Sequence, residues 1–289
     1  VKAQGESLRR MDIAVDYFGI SGKGIKGYLS NIYPLRAHIL KTSPDIIHAH
    51  YSLCGVVAAL TFAAEPLVVS LMGSDTKSGL FSRIGIHCFT RFFWHRVIIK
   101  SSSMWLKNCV EKFIVIPNGV DFEKFRPMQK QTLKDKKIIL FLADPSRESK
   151  NFALAREAFD LLDTDNAELK VRYGISQEDI PQILNAADVV LLTSKWEGSP
   201  NVIKEAMACN CPVVASDVGD VAWLFGKEPG HFLTGFEPED VAKNLRAALD
   251  FCENVGRTNG RQRIMALGLD ASNVARRIID VYEAVLKNG

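Results

Sequence analysis

The stretch DVVLLTSKWEGSPNVIKEAMACNCPVVASDVG, residues 188–219, decides how this chain is read. Residues 189–192 are a continuous apolar run, the pattern of a short strand buried on both faces of a sheet. Polarity inverts from Thr193 to Asn201. Ser199 suits an N-cap and Pro200 the first helical position. A helix is therefore predicted over 200–209, with Val202, Ala206 and Met207 on its apolar face. Residues 212–215, Pro-Val-Val-Ala, form the next buried strand. Two parallel strands joined by a helix make a βαβ unit, and ligands of such sheets bind beyond the carboxyl ends of the strands.

The helix start carries the chemistry. Its first amides lack intrahelical partners and hold the positive end of the helix dipole, and Gly198 lets the backbone approach a ligand. Gly198, Ser199, Pro200, Asn201 and Val202 thus form a candidate phosphate cradle. Two carboxylates, Glu197 and Glu205, stand eight positions apart around it. Glu197 would repel a phosphate but can accept from hydroxyls, and so can Glu205. From spacing alone both can equally be solvated surface acids.

The segment EGSPNVIKEAMACNCPVVASDVGDV is similar to the E-x7-E motif of the GT-B glycosyltransferases of the large retaining family 4. Four further segments resemble that family. IPNGVDFEKFRP (116–127) resembles its interdomain segment, and PSRESKNFALAREAF (145–159) its basic phosphate loop and helix. PDIIHAH (44–50) and VVSLMGSD (68–75) resemble N-domain strands that end at the cleft. The resemblance covers nearly the whole chain and implies an α/β fold of two doubly wound, parallel-sheet, Rossmann-like domains facing a central cleft. It implies 1–127 as an acceptor-side domain, 128–272 as the nucleotide-sugar domain and 273–289 as a helix crossing back to the first. The implied activity is transfer of a sugar, with retention, from a nucleotide-diphosphate sugar to a glycan or lipid-linked acceptor in cell-surface polysaccharide or glycoconjugate synthesis. A non-catalytic sugar-nucleotide or glycan binder of the same fold is the alternative.

By that resemblance Glu197 faces the donor sugar and Glu205 accepts from the ribose hydroxyls. Arg147 and Lys150 suit the diphosphate, one as a planar fork and one as a point charge. Tyr173 and Gly174 belong to the same donor set, while His50 and Asp75 are the polar candidates of the first domain. The expected chemistry needs no cofactor and no metal, since the diphosphate charge would be met by Arg147, Lys150 and the helix amides. The chain departs from the family at three places. Met72 stands where a histidine is common, Asp144 where an arginine often follows the strand, and the opening strand with its glycine-rich turn is absent, so the first domain is read as incomplete at its start.

Composition agrees with an ordinary globular enzyme. The chain has 289 residues, 47% hydrophobic and 24% charged, enough for one large or two modest cores. A net charge of +3 is too mild to argue for nucleic acid. No run reaches the length of a membrane span, and no charged-then-apolar leader opens the sequence. A cytoplasmic protein, peripheral at the inner membrane face, is expected. Cys209 and Cys211 form C-x-C with no second cluster to complete a zinc site, and read as small buried hydrophobes. Asp163-Thr164-Asp165 matches the metal–diphosphate signature of the other glycosyltransferase fold, but falls between a helix and a strand, away from the ligand edge, and reads as a solvated turn.

Elsewhere a strand is predicted over 13–18, a helix over 28–41 and a terminal amphipathic helix over 273–286. Arg83, His87, Arg91 and His95 recur at i+4, a basic stripe beside Phe89, Phe92, Phe93 and Trp94. It is either a solvated face over an aromatic core contact or a surface for anionic lipid.

Overall fold

The computed structural model describes residues 1–73, 80–104, 110–129 and 136–288. The strands are β1 (Ile47–His50), β2 (Leu67–Ser70), β3 (Arg96–Ile99), β4 (Phe113–Val115), β5 (Lys137–Phe141), β6 (Ala167–Val171), β7 (Val189–Leu192), β8 (Val213–Ser216) and β9 (His231–Thr234). The helices are α1 (Lys2–Arg9), α2 (Gly24–Leu29), α3 (Ile32–Thr42), α4 (Ser52–Ala59), α5 (Leu80–Phe92), α6 (Phe152–Asp160), α7 (Ile180–Ala186), α8 (Asn201–Ala208), α9 (Val221–Phe225), α10 (Pro238–Asn254), α11 (Gly260–Ala266) and α12 (Ala271–Asn288). Among the described residues no helix is long and apolar enough to cross a membrane.

The chain divides into two compact units, Val1–Gly119 with Ala271–Gly289, and Val120–Asp270. Each holds one wholly parallel sheet, ordered β1-β2-β3-β4 in the first and β6-β5-β7-β8-β9 in the second. Strands buried on both faces carry the apolar runs seen in the sequence, with β2, β7 and β8 buried along their whole length. The sequence reading placed the division near residue 127, whereas it lies at Gly119–Val120. The intervening segment packs on the second unit. Val120 donates its amide to Leu269 O at 2.9 Å. Arg261 of α11 stacks over Phe122 and donates to Phe125 O at 2.7 Å and Phe122 O at 3.1 Å. Buried Asn185 accepts from Met128 N at 2.8 Å.

In the first unit α12 lies against α1. Residues 13–20 carry no strand, because no described neighbour offers them a ladder. The predicted helix over 28–41 is broken into α2 and α3. Buried Asn31 donates its side-chain amide to Ser21 O at 2.8 Å and Gly27 O at 2.6 Å, a local alternative to the helical ladder. The basic stripe is shorter than expected. α5 ends at Phe92, and His95 leaves the face to accept Leu67 N at 3.0 Å through Nδ1. Lys112 satisfies the carbonyls of Thr90 and Trp94, both at 2.9 Å, beyond the helix end. Trp94 is fully buried and Phe89 packs against the same core, but Phe92 and Phe93 are exposed, so only part of the aromatic flank is a core contact. Cys209 and Cys211 are buried, and Asp163 takes a left-handed φ of 47° in the turn before β6, at that strand's amino end.

Tyr282 of α12 ties the terminal helix to the sheet: its hydroxyl lies 2.6 Å from His48 Nδ1, while His48 Nε2 lies 2.9 Å from Ser70 Oγ. Burial first, then His50 and Lys100, holds the His48 pKa well below its ordinary value, so the ring is neutral. Tyr282→Phe strands a buried ring nitrogen and should cost about 1–3 kcal/mol. Urea unfolding followed by circular dichroism measures this, and an unchanged midpoint removes the hydrogen bond from the account of how α12 is held.

Candidate active site

Strand order decides where a ligand can sit in the second unit. In β6-β5-β7-β8-β9 the winding reverses between β5 and β7. Connections leave these neighbours toward opposite faces, and the crevice between them at the carboxyl edge is the place for a ligand. The segments leaving the two strands are 142–151 and 193–200. Backbone and buried hydroxyls join them. Lys195 N donates to Ser149 O at 2.9 Å, and the buried Thr193 hydroxyl donates to Lys150 O at 3.1 Å and Asn151 O at 2.9 Å.

Two expected site residues meet here. Lys150 Nζ donates to Glu197 Oε1 at 2.5 Å, and the buried Ser194 hydroxyl donates to the same oxygen at 2.8 Å. Both charged side chains are mostly covered, at 17% exposure each. The lysine is paired with the glutamate, so a diphosphate must compete for it. Arg147 stands exposed at the tip of the same segment. Asp144, at the position where an arginine was looked for, builds the turn instead: its Oδ1 accepts Ser146 N at 2.9 Å and Ser146 Oγ at 2.7 Å, and those bonds hold its pKa below the usual value. Tyr173, exposed, and Gly174, at φ 65°, follow β6, the strand next to β5, at the same edge.

A third segment, 217–220, closes on the first two. Gly219 has φ 64°, and a Cβ on it would lie 2.4 Å from Gly198 O. Only glycine permits that approach. Ser216 Oγ donates to Leu192 O at 3.2 Å and Ser194 O at 2.9 Å, which fixes the end of β8 against the same turn.

α8 begins one residue later than the sequence suggests. Pro200, not Ser199, is the N-cap, with no side-chain cap bond. Pro200 brings neither an N–H nor a side-chain acceptor, so the opening of the helix keeps its electropositive character. The Ser199 hydroxyl is engaged otherwise: it accepts from Lys204 Nζ at 2.9 Å. Lys204 is fully buried, and so nearly is Asp220. Sequence reasoning missed both. The signal was faint: Lys204 lies three and four positions before Met207 and Ala208, on the face that turns inward.

Glu205 is half-buried, and burial pushes its pKa up to about 7 against the pull of Lys204 and Lys124. In the first unit His50 ends β1 and stacks on His48 at 4.4 Å between ring centroids. Burial, followed by Lys100, lowers its pKa to about 3, so His50 is neutral and can exchange hydrogen bonds but not serve as a general acid near neutrality. Its Nδ1 is buried without a partner among the described residues. Met72 is half-buried, and Asp75 lies outside the described residues.

The raised carboxyl makes a stability prediction. The unfolded chain releases the Glu205 proton near 4.5 and the folded chain near 7, so the contribution of this group is complete below 4.5, falls as pH rises to about 7, and stays lost above. Glu205→Gln should match the wild-type Tm near pH 4.5 and exceed it at pH 8. Parallel thermal melts at the two pH values measure the difference, and a variant less stable at pH 8 contradicts it.

Comparison with known proteins assigns this arrangement. The family model described as Glycosyltransferase Family 4 matches residues 3–124, and that described as Glycosyl transferases group 1 matches 165–251. TuaC of Bacillus subtilis, named as a teichuronic acid biosynthesis glycosyltransferase, is 27% identical over 277 residues, covering 78% of this chain and 71% of its own. The UDP-Gal:alpha-D-GlcNAc-diphosphoundecaprenol alpha-1,3-galactosyltransferase of Escherichia coli is 26% identical over 318 residues, covering 92% and 81%. Among solved structures, Anabaena Alr3699/HepE in complex with UDP-glucose superposes with a TM-score of 0.77 at 20% identity, over 97% of this chain and 88% of that one. With two parallel α/β units, a switch-point crevice in the second and a family match to each, the chain belongs to the GT-B glycosyltransferases of family 4.

Proposed function

We propose that the chain moves a sugar, with retention at the anomeric carbon, from a nucleotide-diphosphate donor to a lipid-linked or glycan acceptor. The Lys150–Glu197 pair in the β5–β7 crevice, at the opening of α8, carries the reading. A donor diphosphate there is met by Lys150, Arg147 and the first-turn amides of α8, which also stabilise the nucleoside diphosphate as it leaves. Lys150 then exchanges Glu197 for the phosphate oxygens. Glu197, still held by Ser194, is left with a carboxylate oxygen for the sugar, where positive charge develops as the anomeric C–O bond breaks. The acceptor hydroxyl oxygen bonds to the anomeric carbon on the face the leaving group vacates, and its proton passes to the departing phosphate oxygen. Glu205, further into α8, accepts from the ribose hydroxyls. In the first unit neutral His50 and Asp75 supply polar contacts to sugar or acceptor. The positive groups around the diphosphate leave no step that needs a metal. The substrate in the E. coli relative's name, a sugar on diphosphoundecaprenol, supports a lipid-linked acceptor of that kind.

Nucleotide release from UDP-, GDP- and ADP-sugars, measured in chelator, tests this directly. Turnover by the wild type is expected with at least one donor and is unaltered by added manganese. Glu197→Gln should lower kcat by about 10²-fold. Glu205→Gln should chiefly raise the donor KM, by about tenfold for each 1.4 kcal/mol lost. Exchange of the two effects reverses the assignment, and a wild type that binds nucleotide sugar without releasing nucleotide is a binder, not an enzyme.

The acceptor side favours a lipid surface. On α5, Ile84 and Phe92 are exposed at 51% and 75%, with Phe93 beyond the helix end exposed too, and Arg91 lies beside the Phe92 ring at 5.9 Å. Aromatic rings interleaved with arginine suit an anionic headgroup layer. Binding to phosphatidylglycerol vesicles should weaken as salt rises and be lost in Arg91→Glu/Phe92→Ser. Wild-type binding by that variant leaves α5 a solvated face.

A further inference from the structure

The buried charges beneath α8 are unexplained by the donor contacts above. Lys204 is completely buried in the second turn of the helix, and its side chain runs back toward the helix start, as long helical side chains do. There its ammonium meets the Ser199 hydroxyl oxygen at 2.9 Å. An ammonium is a donor only, so Ser199 Oγ is the acceptor in this bond and its own proton is left for a different partner. Close by is Asp220, the N-cap of α9, 8% exposed. Burial lowers the Lys204 pKa to about 8 against the pull of Asp220 and Glu205, and burial raises the Asp220 pKa against a hydrogen bond from Ser199 and the charge of Lys204.

A cation under a helix start is unfavourable for the helix, because it faces the positive end of the dipole. Burial adds a desolvation cost that a buried ion pair rarely recovers in stability. Its position is informative. Ser199 immediately precedes Pro200, and Gly198 is pressed by Gly219, one residue before Asp220. The ammonium therefore fixes the one hydroxyl in the turn between Glu197 and the α8 amides.

We propose that Lys204 is a positioning residue that holds the Ser199 hydroxyl as a hydrogen-bond donor to the diphosphate at the α8 start, with Asp220 as the carboxylate that balances its charge. The inference rests on the reading of that helix start as the diphosphate site. The Ser199 hydroxyl also bonds toward Asp220; on diphosphate binding its proton turns to the phosphate, and Lys204 keeps the oxygen in place. Ser199 touches the ligand, Lys204 acts through Ser199, and Asp220 acts through Lys204.

The test uses the full chain and calorimetric binding of UDP, GDP and ADP. Lys204→Met alone leaves Asp220 as an uncompensated buried charge, so the Lys204→Met/Asp220→Asn double variant is used, which removes both charges together. It should keep a wild-type Tm or exceed it. Its Kd for the nucleotide that the wild type binds best should rise about tenfold. Ser199→Ala should show a similar loss, and adding it to the double variant should cost nothing more, since the three residues act as one unit. Ser199→Thr, which keeps the hydroxyl, should retain binding. Wild-type affinity in the double variant overturns the proposal, as does a further loss on adding Ser199→Ala. If the wild type binds none of the three nucleotides, the diphosphate reading falls and this inference with it; if the wild type binds and the double variant binds equally, only the inference falls.

Discussion

A parallel sheet whose winding reverses between two neighbouring strands cannot close its carboxyl edge, and the second unit is organised around that opening. β5 and β7 pair through Ile139–Val189 and Leu140–Val190, and their outgoing segments part company beyond the last rung. Everything expected to handle a donor in this unit comes from the edges of that gap: Arg147 and Lys150 from one side, Glu197 and α8 from the other, Tyr173 and Gly174 from the strand beside β5. The walls are fixed by groups that never meet a ligand. Thr193 and Ser216, both completely buried, bond the carbonyls of the segments they join, and Gly219 admits the Gly198 carbonyl where any side chain would clash.

Charge is handled differently at the two depths of this gap. At the mouth, Lys150 and Glu197 satisfy one another, so neither carries an unpaired charge in a mostly covered place. Beneath the helix start, Lys204 and Asp220 are far more deeply buried, and Lys204 bonds the Ser199 hydroxyl. Such groups lower stability more readily than they raise it. Their concentration at one helix opening fits the general tendency for unfavourable local features to gather where binding and chemistry occur.

The first unit shows the opposite treatment of ionisable groups. His48 and His50 are stacked, buried and kept neutral, with Tyr282 and Ser70 on the two nitrogens of His48. A terminal helix that completes a hydrogen bond to β1 explains why residues far apart in sequence, 1–119 and 271–289, form one unit. On its outer surface, exposed rings on and beyond α5 show that an aromatic run read along a helix does not reveal which rings turn inward. Trp94 is in the core and its neighbours Phe92 and Phe93 are not, because the helix ends between them.

Local pattern determined a good deal. The buried strands β7 and β8, the helix between them and the alternation of strands and helices follow from apolar periodicity and turn chemistry, which are properties of adjacent residues. The α8 opening could be picked out for the same reason, whereas Glu197 was singled out only by the resemblance of its segment to a family motif. Tertiary structure alone decided the rest. It joined Lys150 to Glu197 across 47 positions, moved the unit boundary back to Gly119 through Arg261 and Asn185, left residues 13–20 without a ladder partner, and buried Lys204 against Ser199 near Asp220. Each of these depends on which segments become neighbours once the sheet is ordered, and strand order is set by the packing of the whole unit, not by any window of sequence.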